Sequence, residues 1–238
     1  DRPTPDISSP LPPHLELVHG GHDQRVLGVG RVHLHRDEAS GFALHALVRR
    51  ADVAPRARHV DETGEFPWES LNALAKMGML GLNIPEEYGG GGADALSAAI
   101  LIEELGRGCG SLALIVAAHL GLACGPLAAF GTEAQKKRWL VPMARGKTLG
   151  CLGLTETGAG SDLRAVRTSA VRQGDEWVIN GDKMWLTNGA EAGVVLLLCR
   201  TGERFSHLIV PANTPGLGFG PPEKKMGLHG SHTYAVAL

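Results

Sequence analysis

Two periodicities divide the chain. From about residue 46 to 148 apolar residues recur at helical spacing, and from 149 onward they alternate or run together as in strands. Pro67 suits a first helical turn, after which Trp68, Leu71, Ala75, Gly78 and Leu82 fall on one face. Asp94 is placed to cap a following helix whose Leu96, Ile100, Leu101 and Leu105 turn inward, with Glu103 and Glu104 expected outward. Thr132 and Gln135 form a capping-box pair ahead of Trp139, Leu140 and Met143, and Lys136, Lys137 and Arg138 read as the solvated side of that helix. In the second part, Trp177-Val178-Ile179 and Lys183 to Thr187 flank Asn180-Gly181, a two-residue hairpin signal. Val194 to Cys199 reads as a fully buried strand and His207 to Val210 as another. Helices first and short strands after predict an α+β protein: an all-helical domain over 46–148, then a small β-barrel or sandwich over 149–238.

Residues 1–45 fit neither pattern. Pro3, Pro5, Pro10, Pro12 and Pro13 oppose regular structure, and six of the eleven histidines (His14, His19, His22, His33, His35 and His45) fall here. A metal-binding tract through His33 and His35 would need a cysteine or carboxylate cluster to complete it, so a loosely ordered extension is the expectation. The run Leu112 to Phe130 is interrupted only by His119. Gly125-Pro126 is expected to break it into two buried helices, and the run is barely long enough to cross a bilayer.

Composition narrows the function. A net charge of −2 gives no electrostatic reason to expect nucleic acid or an anionic membrane as partner. Cys109, Cys124, Cys151 and Cys199 form no CxxC pair, and no signal peptide opens the chain, so reduced cysteines in a cytoplasmic protein are expected. No GxGxxG follows a strand. Gly146-Lys147-Thr148 resembles the end of a P-loop, but Val141 stands where the first glycine is required, so it reads as a helix stop and strand start. Ser231 between His229 and His232 has no hydrolase context.

The chemistry concentrates in Leu154-Thr155-Glu156-Thr157-Gly158-Ala159-Gly160-Ser161-Asp162 and, some twenty residues on, Trp185-Leu186-Thr187-Asn188-Gly189. The first is a small-residue turn whose glycines let backbone N–H groups approach an anion. The second sets an indole and a hydroxyl two apart on a predicted strand, on one face. Alone, the first segment reads equally as a tight loop, and Trp185 as a core residue. Together they suit a flavin nucleotide: a phosphate cradle beside an aromatic wall.

With those segments, Gly64-Glu65-Phe66-Pro67, Gly81 to Gly90, Gly131 to Lys136, Lys183 to Gly189 and Lys225-Met226-Gly227 occur in an order that resembles the acyl-CoA dehydrogenase family over about 46 to 238. The resemblance implies an N-terminal helical domain and a middle β-domain, with FAD held between the β-domain and a C-terminal four-helix domain. By family pattern Leu152, Leu154 and Thr155 would line the flavin ring. Gly160 and Ser161 would meet the pyrophosphate, with Ser161 also near the thioester substrate. Trp185 and Leu186 belong to the strand flanking the isoalloxazine, and Thr187 would hydrogen-bond near flavin N5.

The implied reaction is α,β-dehydrogenation of an acyl-CoA: a carboxylate removes the α-proton while hydride leaves for the flavin, in a site that excludes water. An external acceptor such as an electron-transfer flavoprotein would reoxidise the cofactor, and the full-length form is expected to be a homo-oligomer. Two departures stand out. Thr157 occupies the family's usual proline position, and the chain stops at Leu238 inside an expected strand. The glutamate base is therefore expected beyond Leu238, and this portion alone is expected to be inactive. A non-catalytic flavin-fold assembly module, and a related flavin-dependent oxidase or monooxygenase, are the alternative readings.

Overall fold

The computed structural model describes residues 16–18 and 52–238. Helices occupy the first part: α1 (Ala54–Thr63), α2 (Trp68–Lys76), α3 (Ala95–Gly108), α4 (Gly110–Phe130) and α5 over 133–144. The local signals act as expected at two starts. Asp94 accepts from Ser97 N to cap α3, and Thr132 and Gln135 exchange both bonds of the capping box on α5.

Several expectations need correcting. Gly125-Pro126 does not split α4: residues Ala118–Cys124 form a wide π-turn, and the helix continues to Phe130. The loosened turn absorbs the hydrogen bond and the space that Pro126 denies an α-helix. The same device, Lys136–Leu140, precedes Pro142 in α5. α4 is apolar and long enough to cross a membrane, yet Leu112, Ile115, Val116 and Leu120 are fully packed among the other helices. Glu104 is buried rather than outward, with Arg107 Nη1 at 3.3 Å. Lys136 is not fully solvated either; its ammonium sits over the Tyr88 ring, 5.6 Å from the centroid.

The second part forms two packed sheets. β2 (Leu149–Gly153), β3 (Ser169–Gln173), β4 (Glu176–Asn180), β6 (Ala192–Thr201) and β7 (Arg204–Pro211) make the larger one. Its edge is completed by β1 (Glu16–Val18), antiparallel to β7, so three residues of the stretch expected to be loosely ordered are a strand. The smaller sheet runs β5 (Asp182–Thr187), β9 (Thr233–Ala237), β8 (Gly218–Phe219). The other histidines of that stretch, including His33 and His35, lie outside the described residues.

β6 is the buried spine, parallel to β2 and antiparallel to β7. The expected hairpin at Asn180-Gly181 is not one. β4 pairs with β3 across the two-residue turn Gly174-Asp175, while β5 pairs with β9 in the other sheet. Gly181 is instead the corner between sheets: its φ is +148°, and a Cβ there would lie 2.6 Å from Thr168 Oγ1. The turn at Gly174, with φ +63°, carries the left-handed conformation that a short hairpin needs.

Candidate functional site

β2 leads into the small-residue segment, and β5 carries the tryptophan. The fold lays them side by side. Met184 N donates to Thr155 O at 2.8 Å, and the Thr157 hydroxyl reaches Met184 Sδ at 3.3 Å. Lys183 Nζ donates to Leu154 O at 3.0 Å and to Glu156 Oε1 at 2.8 Å. Both side chains are sequestered, Lys183 wholly. Glu156 also accepts from Arg167 N at 2.7 Å and Thr168 N at 3.0 Å, which ties the far end of the loop to its start. Burial pushes this carboxyl up, but the Lys183, Thr168 and Arg167 hydrogen bonds outweigh it and hold the group at about 2.

Around that anchor the loop is tight at its root and open at its tip. Glu156 and Ala159 exchange backbone bonds of 3.0 and 3.1 Å across Thr157-Gly158. Beyond them, Gly160 and Ser161 are exposed, and their N–H groups meet no acceptor among the described residues. A Cβ at Gly158 or Gly160 would touch nothing within 4 Å. Unpaired N–H donors on an open glycine turn suit the oxygens of a pyrophosphate.

Trp185 stands in a β-bulge. The β5–β9 register slips between Lys183 and Leu186, and Trp185 has φ +64°. A tryptophan in the left-handed region is a strained residue held by its surroundings, and bulges re-aim side chains at functional sites. Its indole is 54% exposed, a costly arrangement for a large aromatic unless something covers it. Thr187, half-buried, lies on the same side of the strand; Leu186 between them is entirely buried in the β-domain core. The Leu186 side chain therefore has no place in the site, and only its backbone borders it. Leu152 and Leu154, two apart on and just after β2, both line an apolar pocket of about 520 Å³ shared with Leu127, Phe130, Leu196 and Leu198.

Two residues that the sequence reading passed over hold this arrangement together. Lys183 was visible only as a charged residue in a strand of inward-facing neighbours. Asn188, buried with φ +69°, donates from Nδ2 to Ile115 O on α4 at 3.0 Å and so fixes the end of β5 to the helices. Ser231 and His232 are not paired; the Ser231 hydroxyl is buried with no partner among the described residues.

The fold and site thus define a helical layer joined to a β-sandwich whose loop and bulged strand converge. Family models describe the same two parts: that for the acyl-CoA dehydrogenase N-terminal domain matches residues 43–147, and that for the acyl-CoA dehydrogenase middle domain matches 151–238. The chain belongs to the acyl-CoA dehydrogenase family. It is 46% identical over 195 residues to the probable acyl-CoA dehydrogenase YngJ of Bacillus subtilis, covering 79% of this chain and 51% of that one. With the human mitochondrial short-chain specific acyl-CoA dehydrogenase it shares 39% over 187 residues, 76% of this chain and 45% of the relative. The solved Bacillus anthracis acyl-CoA dehydrogenase complexed with FAD superposes with TM-score 0.81 at 34% identity, over 86% of this chain and 36% of that one. The chain spans about half the length of the curated relatives it matches.

Proposed function

We propose that this chain forms the flavin-facing part of an acyl-CoA dehydrogenase, with residues 46–148 as its helical domain and 149–238 as its middle β-domain. The observation that carries the reading is the junction of the two segments. Met184–Thr155 and Lys183–Glu156 hold the glycine turn and the bulged strand together while Trp185 remains uncovered. Gly160 and Ser161 would grip the FAD pyrophosphate through their free N–H groups, and Trp185 would cover one face of the ring system. The Thr187 hydroxyl would donate toward the ring's edge, and Leu152, Leu154 and Thr155 would close the apolar side. When bound, FAD supplies the acceptor for a hydride leaving the β-carbon of an acyl-CoA thioester.

Ser161, at the open tip, would also border that substrate. Glu156 is not the base for the α-proton: a carboxylate held at about 2, with its oxygens committed to Lys183, Arg167 and Thr168, is too weak and too enclosed. An electron-transfer flavoprotein as external acceptor, and a homo-oligomeric assembly, belong to the same reading.

The test is a titration of the purified chain with FAD, followed by quenching of flavin fluorescence. Binding that weakens at least about tenfold in Trp185→Ala, with the melting temperature unchanged, supports the site. Absence of binding in the wild-type chain at millimolar FAD, or binding indifferent to Trp185, overturns it.

A further inference from the structure

On the far side of β5 from the glycine turn, His232 faces two acceptors. Its Nε2 lies 2.8 Å from Gly64 O and its Nδ1 lies 2.6 Å from Glu191 Oε1. A carbonyl has no proton to give, so Nε2 carries one. The Tyr234 hydroxyl stands 2.6 Å from the same Oε1 and 3.1 Å from Nδ1, and its single hydrogen serves the shorter contact. A second proton must then lie between Nδ1 and Oε1, because two lone pairs at that separation repel. The pair is an imidazolium on a carboxylate, with side-chain exposures of only 19% and 12%.

The backbone of the same residue reaches the strand. His232 O accepts from Asn188 N at 3.1 Å, immediately after Thr187, while the ring holds Glu191 at the other end of that turn. In the ladder, Leu186 pairs with Tyr234 and Thr187 with Thr233. Gly64 closes the C-terminus of α1, and the Phe66 ring lies 5.4 Å from the imidazole. One histidine therefore fastens both ends of the 188–191 turn and ties it to the helical part.

We propose that His232 is a positioning residue for the flavin-facing strand: the proton it shares with Glu191 locks the turn after Thr187 against the helical part, and its loss frees the strand end. This rests on the flavin reading of Trp185 and Thr187. The surrounding titratable groups have partners of their own. On α1 and the loop after it, Asp61 pairs with His229 at 3.5 Å and Glu65 with His59 at 2.9 Å. Lys225 is bonded to Ser231 O and to Thr233 Oγ1. The Cys151 thiol, raised by burial and by Glu191, stays protonated, and burial and Glu191 hold the Tyr234 phenol above its usual range.

The experiment pairs amide hydrogen exchange on the flavin-free chain with FAD titration, from about pH 5.5 to 8.5. Wild-type protection factors over 187–192 should fall about tenfold across that range, with FAD affinity falling in parallel. His232→Gln should show low, pH-independent protection and a flat FAD profile. Glu191→Gln, which keeps the turn's size but cannot bear the charge, should flatten both profiles even if His232→Gln does not fold. Protection that is flat with pH in the wild type, or a pH dependence that survives in either folded variant, overturns the proposal. Exchange that follows pH while FAD affinity does not overturns the positioning role. A chain that takes up no FAD at any pH overturns the flavin reading, and with it the positioning role; the exchange profiles still report whether the shared proton locks the turn.

Discussion

Lys183 Nζ lies 2.8 Å from Glu156 Oε1, with side-chain exposures of 0% and 7%. A buried ion pair adds little over an apolar pair of the same shape, but removing one partner strands the other charge at a cost of about 3–5 kcal/mol. Glu156→Ala and Lys183→Met should each lower the unfolding free energy by about that amount, and the double variant should lose less than the sum of the two. Denaturant melts of the four proteins measure it.

The same carboxyl predicts an acid limb. Glu156 titrates at about 2 in the fold against 4.5 ordinarily, so the unfolded chain takes up the proton first as pH falls. Its contribution, on the order of 3 kcal/mol, is complete above pH 4.5 and gone below about 2. Urea midpoints through this window should fall in the wild type and stay flatter in Glu156→Ala.

A second limb comes from His119, sealed in α4. Its Nδ1 accepts from Gly150 N at 3.1 Å and its Nε2 donates to Leu80 O at 3.1 Å, so the neutral ring joins β2 to the helices. Burial drops it from 6.5 to about 4. Stability is therefore full above pH 6.5 and declines as pH falls toward 4, where the unfolded chain binds a proton that the fold refuses. His119→Gln, neutral throughout, should lose this limb while retaining the more acidic one; NMR of the imidazole provides an independent check.

Trp185 offers a separation of stability from function. Glycine accepts φ +64° without strain but adds freedom to the unfolded chain, so Trp185→Gly should change the unfolding free energy by less than about 1 kcal/mol. FAD affinity should nevertheless fall at least about tenfold. A large loss of stability would mean that the indole packs into the fold.

At the corner between sheets, Gly181→Ala sets a Cβ 2.6 Å from Thr168 Oγ1 at φ +148°, and should cost about 2–4 kcal/mol. Gly158→Ala, with nothing within 4 Å, should be nearly silent in the same thermal melts.

What the amino-acid order determined by itself is whatever depends on near neighbours. The caps at Asp94 and Thr132, the helical stripe of α2, the buried run of β6 and the glycine turn at 158–160 are each encoded within a few residues, where propensity and period act. What only the tertiary structure decided is which distant groups meet. Asn180-Gly181 looks locally like a hairpin, but pairing energy comes from the partner strand, and β5 finds β9 more than forty residues on. Pro126 looks like a break because the π-turn that accommodates it is stabilised by packing. Lys183 reads as a surface charge until Glu156 is brought beneath it, and Trp185 as an ordinary strand residue until a bulge turns it out. Alternation along a strand is the same whichever sheet it joins, so a site made from two strands of different sheets is written in the chain only as parts, and folding alone brings them into register.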